Sequence, residues 1–265
     1  MVHLRMMPSM WPIEQCSGVA STHLLAVDRV RKGLATAPFV LVSCDQQAGV
    51  GQHGRQWVSC GDGLAMSLAW PEHVDQAHLG LPAGALPPWP TWLALLVLQA
   101  LEPRLPVETA NGLALKWPND IHCHGRKAGG VLVQRLHLGA QAWLVAGIGL
   151  NGRWRVPMPE GIEAMGLLEA ADPALQVTDW VGPLVEAVAR LAMAPQLDAQ
   201  ALAQSYARWD AHLGAQILLV GAREQLEGRS EGVTPDGRLR LRLADGALVE
   251  RALGEVSLRP AGFGP

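Results

Sequence analysis

The sequence predicts a mixed α/β fold followed by a small all-β domain. Through Leu213, segments with helical spacing alternate with β-branched or strictly alternating segments. The strands among them are joined more often by turns than by helical crossovers. After Gly214 the pattern changes, and five short strand candidates fall within the last 50 or so residues. The organisation expected is therefore a larger domain over 1–213 and a β-barrel over 214–265.

Taken in order, Ser21 to Lys32 reads as a helix. Ser21 or Thr22 can cap it, Leu24, Leu25, Val27 and Val30 recur at helical spacing, and Gly33 closes it. Phe39 to Cys44 is a β-branched apolar strand, and a glycine-rich loop follows. Leu64, Met66, Leu68 and Trp70 alternate, which predicts a half-buried strand. Pro82 to Pro90 is a loop, and Thr91 to Leu101 is so apolar that the helix is expected to be buried on most sides. Three strands follow, Leu113 to Trp117, Ala128 to Arg135 and Trp143 to Leu150, then helices over Gly182 to Met193 and Asp198 to Leu213. The last domain starts with Gln216 to Val220 and Leu226 to Val233. Arg238 to Leu243, Ala247 to Ala252 and Glu255 to Leu258 complete it, with Pro235-Asp236-Gly237 and Ala244-Asp245-Gly246 as turns. Arg238 to Leu243 alternates arginine and leucine, so one face is basic and the other apolar.

Composition narrows the function classes. The 265 residues carry 24 acidic and 21 basic side chains, a net charge of −3 and a pI of about 6.3, so there is no overall basic footprint for nucleic acid. Charged residues are 17% and apolar residues 49%, which predicts a folded chain. The longest apolar run, Trp92 to Leu98, is seven residues against the ~20 of a membrane span. The N-terminus lacks the apolar run of a secretory signal, so a cytoplasmic protein without membrane contact is expected. Cys16, Cys44, Cys60 and Cys123 follow no zinc-ligand spacing and read as free thiols. His122 and His124 share a face if they lie on one strand, but no further ligand is within reach in the sequence, and a solvated hairpin tip is expected there.

Gly49-Val50-Gly51-Gln52-His53-Gly54 matches the G-x-G-x-x-G dinucleotide fingerprint. That fingerprint needs a helix after the loop to receive the pyrophosphate, and Arg55 to Gly63 has two glycines and no helical stripe. Two readings remain: an ordinary hairpin, or a loop whose amides approach an anion closely beside the fixed planar charge of Arg55. Lys116-Trp117-Pro118-Asn119-Asp120 ends one strand, Lys127-Ala128-Gly129-Gly130 opens the next, and Gly147-Ile148-Gly149-Leu150-Asn151 ends a third. Four such segments at strand ends can converge on one anionic ligand.

In this order and spacing, these motifs resemble those of biotin protein ligases. Ser21-Thr22 resembles that family's Ser-Thr-Asn segment, and the Gly254 to Arg259 segment its closing domain. The resemblance implies a class II synthetase-like catalytic domain with a mixed sheet and flanking helices, plus an SH3-like barrel. It implies ATP-dependent activation of biotin as biotinyl-5′-AMP, with Mg²⁺ carried by ATP and no protein-bound metal, and transfer to a lysine of a biotin carboxyl carrier protein. By the same resemblance Lys127, Lys116, Asp120 and Arg55 are catalytic, with Lys127 bridging the biotin carboxylate and the α-phosphate and Asp120 receiving the incoming amine. Biotin falls to Ser21, Thr22, His23, Gln46, Val50, Gly51, Gln52, Lys127 and Gly130. ATP falls to Gly49, Arg55, Trp57, Asn119, Lys127, Asn151 and Arg259.

Two departures stand out. His23 replaces the usual Asn, and Val50 and Gln52 stand where the family loop often carries arginines, so looser retention of the intermediate is expected. Lipoate or octanoate transfer on the same fold is the rival chemistry, and KWPND and the loop argue against it. A biotin-sensing DNA-binding form is disfavoured, because the 20 residues before Ser21 are too few for a helix-turn-helix domain. A homodimer is compatible with the resemblance.

Overall fold

The computed structural model describes residues 11–72, 81, 86–193, 198–221, 225–252 and 256–260. Part of the expected 82–90 loop and the first residue of the last expected strand lie outside them.

The larger unit is a seven-stranded sheet. Its strands are β1 (Ile13–Gln15), β2 (Phe39–Ser43), β5 (Gly61–Pro71), β6 (Leu113–Lys116), β7 (Asp120–Cys123), β8 (Arg126–Leu138) and β9 (Gln141–Trp154). The spatial order is β1-β2-β5-β9-β8-β7-β6. β1 runs parallel to β2, and every other neighbouring pair is antiparallel, so the sheet is mixed. The run from β6 to β9 is a meander closed by turns. Its second tip, between β7 and β8, is His124-Gly125, both at positive φ. A two-residue-per-strand hairpin, β3 (Gly49–Val50) with β4 (Gln56–Trp57), stands apart from the sheet.

Helices cover both faces. α1 (Thr22–Arg31) packs Ala26, Val27 and Val30 on Phe39, Leu41, Ala69 and Val145. α2 (Trp89–Leu101) and α4 (Val181–Met193) pack on the other face against Val40, Val42, Met66 and Leu68. Successive residues of β2 thus enter opposite cores, as the two-residue strand period requires. Covering both faces also corrects one expectation: Leu64 to Trp70 is wholly buried, not half-buried.

Other differences have local causes. β1, β7 and α3 (Val107–Asn111) are too short for a periodic signal. α5 spans Ala199–Ala207, capped by Asp198, and ends well before the expected Leu213. Beyond it the backbone turns to pair with β6: the Leu115 amide donates to Trp209 O (2.6 Å), and the Ala211 amide to Leu115 O (2.9 Å). The Asp210 carboxylate accepts from the His212 amide at 2.9 Å, a local bond that competes with helix.

The C-terminal unit is a five-stranded antiparallel sheet in the order β13-β12-β11-β10-β14. These are β10 (Gln216–Gly221), β11 (Gln225–Val233), β12 (Leu239–Arg242), β13 (Leu248–Arg251) and β14 (Val256–Pro260). All five expected strands are present. Leu239 and Leu241 point inward while Arg240 and Arg242 do not, as the alternation predicts.

Candidate active site

A cavity of about 220 Å³ opens where the N-terminus of α1, the β3–β4 hairpin and the ends of β6 to β9 meet. Its inner part is neutral and polar. Ser21 is the N-cap of α1, its Oγ accepting from the Leu24 amide at 3.4 Å. The Thr22 amide and hydroxyl both donate to Gln46 Oε1, at 2.8 and 3.2 Å. Ser67 Oγ donates to Thr22 Oγ1 at 2.9 Å. Ser67, missed in the sequence, is a hydroxyl in an otherwise apolar strand, which was its available signal. His23 is buried beside it, with Nδ1 without a hydrogen-bond partner. Burial pushes its pKa down to about 4, so the imidazole is neutral at physiological pH.

The glycines of β9 form the floor. A Cβ on Gly147 would lie 3.0 Å from His23 Nδ1, and one on Gly149 would lie 2.8 Å from Trp57 Cε2. These rings rest on bare backbone, which explains the paired glycines. Gly49 is equally constrained, since a Cβ there would meet Gln46 Nε2 at 2.4 Å, yet it does not line the cavity. Val50, Gly51 and Gln52 do line it.

The outer part is charged. Lys127 Nζ donates to Asp120 Oδ1 at 2.6 Å and lies 5.8 Å from the Trp57 ring centroid. Gly130 faces Asp120 in the β7–β8 register, and a Cβ there would stand 3.3 Å from Asp120 Oδ1. The Lys127 backbone is held on its free side as well: its amide donates to Glu163 O (3.1 Å) and its carbonyl accepts from the Met165 amide (3.0 Å). Lys116 lines the same wall, and the exposed Arg55 stands at the rim. Three cations and one carboxylate line this region, an environment for an anionic ligand.

The remaining predicted residues sit differently. Asn119 lines the cavity, but its Nδ2 donates to Val131 O, so its carboxamide closes the turn onto β8. Asn151 is buried outside the main cavity, in a small recess with Gln46 and Trp57 among its lining, and its Nδ2 donates to Lys127 O at 3.4 Å. Arg259 lies in β14, its backbone paired with Leu218 of β10. Trp117 is among the residues lining the cavity, and its side chain packs into the C-terminal sheet. His122 of β7 and His124 of the turn after it are engaged separately: His122 Nδ1 lies 3.2 Å from Gly125 O, and His124 Nε2 lies 3.1 Å from Glu108 O.

The Biotin/lipoate A/B protein ligase family profile matches residues 18–151, just over half of the chain and every cavity segment described above. The chain belongs to this family. The Biotin protein ligase C terminal domain profile matches residues 212–259, the part that carries the five-stranded sheet. Among curated relatives, the Bifunctional ligase/repressor BirA of Escherichia coli is 28% identical over 249 residues, covering 92% of this chain and 73% of that protein. The Biotin--[acetyl-CoA-carboxylase] ligase of Paracoccus denitrificans is 30% identical over 186 residues, covering 70% and 68%. Among solved structures, the biotin protein ligase of Aquifex aeolicus in complex with biotin and ATP superposes with a TM-score of 0.75 at 25% identity, covering 94% of this chain and 99% of that one.

Proposed function

We propose that this chain is an ATP-dependent biotin protein ligase. A carboxylate oxygen of biotin attacks the α-phosphorus of ATP, the bond to the β-phosphate breaks, and pyrophosphate leaves biotinyl-5′-AMP. A lysine amine of a biotin carboxyl carrier protein then attacks the activated carbonyl carbon, the bond to AMP breaks, and an amide remains. The observation that carries this reading is the Lys127 ammonium, 2.6 Å from Asp120, where the neutral recess meets the cationic mouth.

The residues suit the steps. A cyclic urea needs donors and acceptors together, and the Ser67–Thr22–Gln46 chain supplies both. Lys127, Lys116 and Arg55 offset the charge of a carboxylate meeting a triphosphate. An incoming carboxylate and phosphate compete with Asp120 for Lys127. Drawing the ammonium away frees the Asp120 carboxylate at the stage when the carrier's amine must lose a proton. Magnesium, bound as the counter-ion of ATP, would offset phosphate charge.

No helix among the described residues is long and apolar enough to cross a membrane. The four cysteines are free thiols, which suits a reducing cytoplasm. Pyrophosphate exchange tests the function. The unaltered protein is expected to exchange with biotin and not with lipoate, and Lys127→Ala to lose exchange by at least about a hundredfold. Exchange driven by lipoate alone, or near-parental exchange in the variant, overturns the reading.

A further inference from the structure

Trp117 opens the turn that follows Lys116 and is itself among the residues lining the cavity, yet its side chain does not join the main core. It is 2% exposed and clusters with Ile217, Leu219, Leu239 and Leu241, all of the C-terminal sheet. Its Nε1 donates to Gly237 O at 2.9 Å. Gly237 is the positive-φ residue of the turn between β11 and β12, and that turn is wedged against the start of α2: a Cβ on Gly237 would stand 2.3 Å from Pro88 Cβ. On either side of Trp117 are groups that line the cavity, Lys116 before it and Asp120 after it. The strand before the turn is gripped by the segment that leads into the same sheet, through the two Leu115 bonds.

We infer that Trp117 is a positioning residue, through which the C-terminal sheet sets the placement of Lys116 and Asp120. The inference rests on the ligase reading and adds to it a coupling between the two units. Lys116 and Asp120 sit at the ends of a turn of three intervening residues. The strand partners fix the two ends by backbone bonds, Lys116 opposite Asp120. The indole is the side chain of this turn whose burial depends on the other unit, so a shift of that sheet moves the turn. A displacement of about 1 Å at a reacting group can cost up to roughly a hundredfold in rate. The biotin recess in the same cavity is held by bonds among α1, Gln46 and β5.

Three full-length variants test this by biotin-dependent pyrophosphate exchange, with kcat corrected for the folded fraction at each temperature. Trp117→Phe keeps aromatic bulk and removes the bond to Gly237. Gly237→Ala disturbs the anchor from the far side, through Pro88. Gly246→Ala is the matched control: it too is a positive-φ turn glycine of the same sheet, but nothing lies within 4 Å of its added Cβ. The first two are expected to lose kcat by roughly ten- to a hundredfold with the biotin KM within about twofold, and Gly246→Ala to stay near the parent. Equal loss in Gly237→Ala and Gly246→Ala, or unchanged corrected kcat in both Trp117→Phe and Gly237→Ala, overturns the inference. Absence of biotin-dependent exchange in the unaltered chain overturns the ligase reading instead.

Discussion

At the scale of single residues, His23 carries a measurable pH dependence. Its pKa in the folded chain is about 4 because burial opposes the imidazolium, with a bond to Gln134 pulling weakly the other way. The unfolded chain therefore binds more protons between about pH 4 and 6.5, and stability rises with pH across that window. It is fully present above about 6.5 and is lost as pH falls toward 4. The melting temperature is expected to be flat above pH 7 and to drop on acidification, with a shallower drop in His23→Asn. His212, pushed down to about 4 by burial and by Lys116 nearby, acts in the same window, so part of the slope remains in that variant. An identical slope in parent and variant contradicts this account. The sequence made His23 visible as a departure from the Ser-Thr-Asn pattern. Its neutrality was not legible, because that depends on burial against residues such as Gly147, far along the chain.

At the scale of elements, the glycine pair in β9 was legible as a place of close approach, but not what approaches. The answer is two rings from separate elements, His23 of α1 and Trp57 of β4. Gly149→Ala places a methyl 2.8 Å from Trp57 Cε2, so the ring and the hairpin behind it must move. The expected result is a several-fold rise in the KM for ATP that exceeds any rise for biotin, read by steady-state exchange. Equal changes in both would show that the hairpin is not on the nucleotide side. Strands with long alternating or β-branched runs were legible. Segments whose conformation is imposed by a partner were not. The 209–211 segment, read as helix from its local pattern, instead bridges to β6 because Leu115 offers it both a donor and an acceptor.

At the scale of the whole molecule, a neutral recess and a cationic mouth that share Lys127 predict coupled binding. Biotin and ATP together are expected to raise the melting temperature by more than the sum of each alone, because the first ligand orders groups that the second uses. Strict additivity in a thermal-shift titration contradicts that coupling. The division into an α/β unit and a small β unit was legible from the change of pattern after Gly214. Membership of Trp117 in the second unit's core was not, since nothing local distinguishes an indole that anchors a distant sheet from one that ends a strand.

The pairing of the 209–211 segment with β6 has a consequence for solubility. β6 is the last strand of the seven-stranded sheet, and an end strand with bare amides and carbonyls is a template for another chain. Here Leu115 gives its amide and its carbonyl to the chain's own following segment. The route from one unit to the next thus doubles as an edge guard, and a cell that makes this protein is spared a sticky border that the fold would otherwise present on every copy.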